Sequence, residues 1–295
     1  METLSRRAFS SHRHREGRWK TRTVFTNSSL VRWFGRFTSL KRRGVDELAR
    51  SSRPGSRVLD IGGGSGAYAL WFLGRTPCTV VTVDWSDIAL RAIPLPPRGK
   101  IFRVCADAQA LPFKPGVFDG AYSIDTLGHV TKVERVLDET LRVCAPGTRL
   151  FLHSECSDYR DRWPDRMLIH RLGKDLPAES DGHFDLHRST RLYHMYARRF
   201  RAGRFLAPAG VLGWLLGYPE KYLPAFRRAG PRWACCCTRL FALVKRMPAL
   251  GILLRSANAL TNHIEVFLGL TGGGSCFAEL SVHGAPDAEN PEGPA

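Results

Sequence analysis

The stretch Val58–Tyr68, VLDIGGGSGAY, places an apolar run, an acid and a glycine-rich turn in immediate succession. Val58 and Leu59 read as a strand running into Asp60. Gly62, Gly64 and Gly66 follow at alternate positions, where missing side chains let backbone N–H groups approach a ligand closely. Such a turn suits the floor of a nucleotide-type cofactor site. A second set of residues can accept protons: His129, His153, His183 and His187, with Glu155 among them. Imidazole titrates near neutral pH, which makes these the candidates for a general base at a hydroxyl nucleophile.

The elements that must position these groups alternate from residue 57 onward. Arg57–Asp60 reads as strand one, Ala67–Leu73 as a helix, and the β-branched run Thr79–Asp84 as strand two, of the kind buried in parallel sheets. Ser86 can cap the next helix, with Asp87 in its first turn, and the Pro94–Pro97 cluster ends it. Ile101–Ala106 and Phe118–Ser123 read as strands three and four. Val130, Val133, Leu137 and Leu141 recur at helical spacing, so a helix is expected over Val130–Val143, stopped by Pro146-Gly147. Strand five is Arg149–His153. Repeated strand–helix–strand units of this length imply a doubly wound parallel sheet, which binds ligands at the carboxyl ends of its strands.

Outside that core the pattern changes. Residues 1–44 form a basic arm with scattered aromatics and one or two helices near Asn27–Lys41, and the core is expected over 45–210. Within it, 154–187 reads as a polar covering loop and Ser189–Arg201 as an amphipathic helix. Residues 211–270 read as an apolar, basic helical insertion or lid, 271–283 as the last strand of the core, and 284–295 as a disordered acidic tail. The 295-residue chain carries a formal charge of +17, distributed as +11 over residues 1–57, +1 over 58–150, +9 over 151–271 and −4 over 272–295. The core is therefore nearly neutral while its flanks can attract phosphates, nucleic acid or an anionic membrane.

The eight cysteines form no C-x-x-C pair, and three of them are consecutive, which suits neither a disulfide framework nor a tetrahedral metal site. Cys78, Cys105 and Cys144 read as small core residues. A reduced, cytoplasmic chain without bound metal is expected. The N-terminus lacks a secretory apolar region, and the 14-residue apolar run Phe205–Tyr218 is too short to span roughly 30 Å of bilayer.

The glycine turn alone leaves two cofactors open. Gly62, Gly64 and Ala67 satisfy the dinucleotide fingerprint G-x-G-x-x-G/A, with Asp84 about 20 residues on, where an acid binds ribose. The later segments decide: IFRVCADAQALPF at 101–113, FDGAYSIDTLGHV at 118–130 and RVCAPGTRLFL at 142–152. With D-x-G-x-G-x-G at 60–66, they resemble class I S-adenosylmethionine-dependent methyltransferases of the small-molecule branch, such as the ubiquinone/menaquinone-biosynthesis enzymes. The resemblance covers about residues 58–153 and implies a Rossmann-like seven-stranded α/β sheet, with a helical insertion before its last strand.

The same resemblance implies S-adenosyl-L-methionine as cofactor. Gly62, Gly64 and Gly66 would pack against its methionine part, with Asp60 holding the amino group. Asp84 would accept both ribose hydroxyls, Trp85 would lie along the adenine, Asp107 and Ala108 would bind the adenine edge, and Ser123 would lie beside the methionine. His129, His153 and His183 are then the candidate bases. The expected acceptor is an O or C atom of a small, partly apolar metabolite or a lipid- or glycan-linked precursor. Two other readings are an RNA-directed enzyme using the basic arms and a non-catalytic cofactor-binding partner. No N-P-P-[YFW] tetrad follows strand four, which disfavours nucleic acid. The basic 211–270 layer suits peripheral contact with an anionic membrane.

Overall fold

The computed structural model describes residues 40–208, apart from 97, 162–164, 176–177 and 180–181, and residues 273–284, with isolated positions 236, 239, 247, 260–261, 264 and 267–268. The basic arm before residue 40, nearly all of 211–270 and the acidic tail lie outside the described residues.

The chain enters through helix α1 (Leu40–Ser51), which crosses residue 44, and then alternates. Strand β1 (Arg57–Ile61), helix α2 (Ala67–Leu73), strand β2 (Thr79–Asp84) and helix α3 (Asp87–Arg91) follow. Next come β3 (Lys100–Cys105), β4 (Phe118–Ile124), a 3-10 turn at Leu127–His129, α4 (Val133–Val143) and β5 (Cys144–Glu155). A second 3-10 turn at Asp158–Asp161 leads to α5 (Asp165–Leu172), α6 (Ser189–Ala197), β6 (Arg201–Leu206) and β7 (Ser275–Ser281). The seven strands lie in the order β3-β2-β1-β4-β5-β7-β6.

Strands β1 to β5 pair in parallel, as the strand–helix alternation requires. Beyond β5 the sheet turns antiparallel, because β7 pairs antiparallel with both β5 and β6. β6 (RAGRFL) was not legible as a strand. Its residues are largely exposed and carry little β-branched character, so backbone pairing with β7 rather than side-chain pattern specifies it.

Strand periodicity sorts the core into two layers. Leu59, Ile61, Ala121, Leu150 and Leu152 face α4 and α6, packing with Val136, Leu137, Leu192 and Tyr196. Their neighbours Val58, Tyr122 and Phe151 point the other way, against α1 and α2 through Val45, Leu48 and Phe72. A Cβ at Gly44 would overlap the Phe151 ring, so α1 lies directly on β5. α1 also grips α2: Asp46, 5% exposed, accepts hydrogen bonds from Trp71 Nε1 (2.8 Å) and Arg75 Nε (2.7 Å).

Smaller departures have local causes. The helix expected from Val130 begins at Val133, because the 3-10 turn after β4 uses the preceding residues and Val130 itself is extended. Pro146-Gly147 lies inside β5, where the register with β4 shifts between Phe118 and Gly120. The covering loop 154–187 contains α5. Cys78 and Cys144 are buried, but Cys105 is exposed because β3 is an edge strand. Among the described residues no helix is long and apolar enough to cross a membrane.

Candidate active site

The strand order reverses between β1 and β4, both of which leave the sheet at the same edge. In an open α/β sheet this switch point is where a ligand crevice forms. The glycine turn lines it. Gly62, Gly64 and Gly66 have φ of +69°, +52° and +74°, a left-handed region that residues with a Cβ rarely adopt. Gly62 and Gly63 donate to the Val83 carbonyl at 2.8 and 3.1 Å, which fixes the turn to β2. Space adds to conformation: a Cβ on Gly62 would overlap Thr126, whose hydroxyl donates to the Ile61 carbonyl at 3.0 Å. Gly62→Ala therefore combines overlap with strain, and a loss of about 2–4 kcal/mol in urea-unfolding stability is expected.

Asp84 ends β2 and joins two segments. Its Oδ2 accepts from Gly64 N at 2.8 Å and its Oδ1 from Ser86 N at 2.9 Å. An ionised carboxylate offers about four acceptor positions, so acceptor capacity remains beyond these bonds. Burial raises its pKa, opposed by the backbone N–H groups of Ser86, Gly64 and Trp85. Trp85 is 40% exposed beside it.

Asp60 lies beneath the turn. It is 2% exposed, accepts from Thr82 Oγ1 at 3.3 Å, and stands where a Cβ on Gly63 would be. Desolvation pushes its pKa up to about 8, helped by the Asp84 charge and opposed by the hydroxyls of Thr82 and Tyr122. Its carboxyl thus supports the turn from beneath.

The remaining expected cofactor residues are dispersed along the same edge. Ser123 is buried at the end of β4 and donates to the Ile61 carbonyl at 3.2 Å. Ala108 is buried in the core. Asp107 is exposed and accepts from Gln109 N at 2.8 Å and from Gln109 Nε2 at 3.2 Å, while Gln109 Oε1 accepts from Thr131 and Lys132. That chain of bonds ties the loop after β3 to the start of α4.

On the other side of the crevice the structure assembles a group that sequence reasoning missed. Lys41 of α1 donates to Asp125 Oδ1 at 2.6 Å, and His153 Nδ1 lies 2.7 Å from the same oxygen. Asp125 is the one non-glycine residue with positive φ (58°) among the described residues, and its carboxyl lies against both Lys41 and His153. The only available signal was an acid immediately after β4. Burial favours the neutral acid, yet Lys41 and His153 outweigh it and hold Asp125 well below the usual carboxylate range.

A group with a depressed pKa stabilises the fold above its unfolded value, near 4, and loses that contribution as pH falls through and below it. Asp125→Ala is expected to cost about 1–3 kcal/mol at pH 7, less than for a sealed pair because solvent reaches 39% of the side chain. Urea titrations at pH 7 and pH 3 should show the difference from wild type shrinking with acid.

The three expected bases separate by exposure. His153 is 1% exposed beneath Asp125 and against Phe277, so it does not present its ring to the crevice. The His183 side chain is 6% exposed and its ring centre lies 4.7 Å from that of the partly exposed His129, tilted by 37°, with Glu155 beside it. His187, in the same covering segment, is 7% exposed and its carbonyl accepts from Ser157 N.

Residues 33–199 match the family model described as a methyltransferase domain. A ubiquinone/menaquinone biosynthesis C-methyltransferase of Cereibacter sphaeroides is 37% identical over 107 residues, 34% of this chain and 42% of that protein. An O-methyltransferase of Aspergillus sclerotiorum is 34% identical over 142 residues, 44% of this chain and 52% of its own length. The chain thus spans about half or less of these curated relatives. Among solved structures, a geranyl diphosphate methyltransferase in complex with GPP and sinefungin superposes with a TM-score of 0.54 at 14% identity, over 85% of this chain and 80% of that one. The geranyl diphosphate C-methyltransferase of Streptomyces coelicolor A3(2) gives 0.52 at 13%, over 84% and 80%. At these identities the likeness is one of fold: a Rossmann-like seven-stranded sheet.

Proposed function

Because the chain belongs to the methyltransferase-domain family, we propose that it transfers a methyl group from S-adenosylmethionine to an oxygen or carbon atom of a small, partly apolar acceptor. The observation that carries this reading is the junction of the left-handed turn Gly62–Gly66 with Asp84, whose carboxylate holds Gly64 N and keeps acceptor capacity for ligand hydroxyls. When bound, S-adenosylmethionine would supply an electrophilic methyl group, which the acceptor oxygen or carbon attacks in line as the S–CH3 bond breaks and S-adenosylhomocysteine leaves, the acceptor's proton passing to a base or solvent.

The chain's own residues position the reactants and form no covalent bond to them. Asp84 would hold the ribose, with Trp85 along the adenine and Asp107 and Ala108 at its edge. Ser123 and the glycine turn would border the methionine part. Asp60, beneath Gly63, would face the positive amino end through the turn. The acceptor would enter over the ends of β4 and β5, where Asp125, His129 and Glu155 lie. Holding a nucleophile close and collinear can supply several kcal/mol, up to about 7–11 in well-aligned model reactions. Residues 211–270 fall between β6 and β7 in the sequence. Contact of that insertion with an anionic membrane belongs to the same reading, and liposome co-sedimentation checks it.

Calorimetric titration with S-adenosylhomocysteine and with NAD tests the cofactor assignment. One saturable site for the former and none for the latter is expected. Binding of NAD instead would overturn the reading. Incubation with labelled S-adenosylmethionine and fractionated extract should then place label in small molecules, and label confined to RNA would overturn the acceptor class.

A further inference from the structure

We propose that His129, Glu155 and His183 form a binding site for one divalent cation of the zinc type, which ties the covering segment to the ends of β4 and β5. The three residues come from the 3-10 turn after β4, the last position of β5 and the segment around Gly182–His187. One ligand-type atom from each lies within 4.8 Å of the others, and His183 Nε2 is 3.8 Å from Glu155 Oε1. That separation is too long for a hydrogen bond. Two donors on a tetrahedral ion with bonds of about 2.0–2.2 Å sit about 3.4 Å apart, so small side-chain shifts would close the site.

The polar atoms need such a partner. The His183 side chain is 6% exposed, and neither of its ring nitrogens has a hydrogen-bond partner among the described residues. Glu155 Oε2 is buried in the same state. Buried polar atoms are seldom left unpaired, so their convergence points to a missing ligand.

The surroundings resemble those of metal ligands. His129 Nδ1 lies 3.2 Å from the Gly182 carbonyl, which only accepts, so Nδ1 carries the proton and Nε2 the lone pair. Gly128 permits the approach: a Cβ there would come within 2.9 Å of His183 Cδ2 and 3.4 Å of Glu155 Oε2. Phe184 N donates to the Gly128 carbonyl at 3.0 Å, joining the segment to the same turn. Two imidazoles and one carboxylate select a zinc-like ion over magnesium or calcium, which take all-oxygen shells. Three protein ligands leave one tetrahedral position open. On the methyl-transfer reading, an acceptor oxygen would take it and become more acidic. The ion site itself does not depend on that reading.

The test uses the full-length protein, stripped with a chelator and titrated with Co2+ in the absence of S-adenosylmethionine. One Co2+ per chain is expected, with visible d–d absorption of nitrogen and oxygen ligation and no intense thiolate charge-transfer band. His183→Ala and the isosteric Glu155→Gln should each lose that absorption while keeping the far-UV circular dichroism of the wild type. No stoichiometric binding by wild type overturns the proposal, as does a thiolate band, which would put the ion on cysteines. Variants that bind like wild type overturn it equally. Should a variant unfold, the ligand type read from the wild-type spectrum decides alone. Cofactor affinity is measured separately, so failure here leaves the methyl-transfer reading standing.

Discussion

Asp84→Ala is expected to weaken binding of S-adenosylhomocysteine by about 10²- to 10⁴-fold while the sheet stays folded. Hydrogen bonds to a charged group contribute about 1.5–3 kcal/mol each, and two ribose hydroxyls would place roughly 3–6 kcal/mol on this carboxylate. At 1.4 kcal/mol per decade that is the stated range. A second effect acts in the same direction. Asp84 also accepts from Gly64 N and Ser86 N, so its loss frees both segments that border the crevice. Asp84→Asn separates the two contributions, because its side-chain oxygen can still accept from one backbone N–H at unchanged volume. An intermediate loss of about 10- to 100-fold is expected for it. Calorimetry measures both, with circular dichroism as the check on folding. Unchanged affinity in the alanine variant would remove Asp84 from the cofactor site.

What the sequence disclosed divides along the chain by the kind of force that specifies each part. β1, β2 and β4 are buried on both faces, so apolar runs announce them, and the glycines between β1 and α2 announce a left-handed turn because residues with a Cβ rarely adopt φ near +70°. β6 is specified by backbone pairing at an exposed edge, and its Arg-Ala-Gly composition carries no strand pattern. The antiparallel edge follows from where β7 re-enters the sheet, which is a tertiary fact.

The same division applies to the site. Asp84 was legible because the end of a parallel strand puts its side chain at the crevice mouth. The Lys41–Asp125–His153 group was not, since its members come from a helix, a strand end and a second strand that touch only after packing. His129, Glu155 and His183 were each visible as proton acceptors. Their convergence was hidden because the spacing of 129, 155 and 183 matches no helical or loop ligand motif, and it depends on the covering segment folding back over Gly128.

Asp60 is expected to hold a proton at neutral pH in the free protein and to release it when S-adenosylmethionine binds. Its carboxyl is buried, and desolvation lifts its pKa from 3.8 to about 8. The sign follows from proton counting. Between about pH 4 and pH 8 the unfolded chain has lost this proton while the native state keeps it, so stability falls as pH rises. At 1.36 kcal/mol per unit the full interval is on the order of 5 kcal/mol, a large part of an ordinary domain's stability. Asp60→Asn removes the titration at nearly constant volume. Urea unfolding at pH 5 and pH 8 should therefore show wild type losing about 3–4 kcal/mol more than the variant over those three units. Cofactor binding works against the same desolvation. A positive amino group and sulfonium arriving above Gly63 favour the ionised carboxylate, so binding near pH 7 should expel close to one proton. Calorimetry in buffers of different ionisation enthalpy reads that proton directly, and Asp60→Asn cancels any contribution from the ligand itself. Equal buffer dependence in wild type and variant would place Asp60 outside the influence of the cofactor and leave it a support for the turn alone.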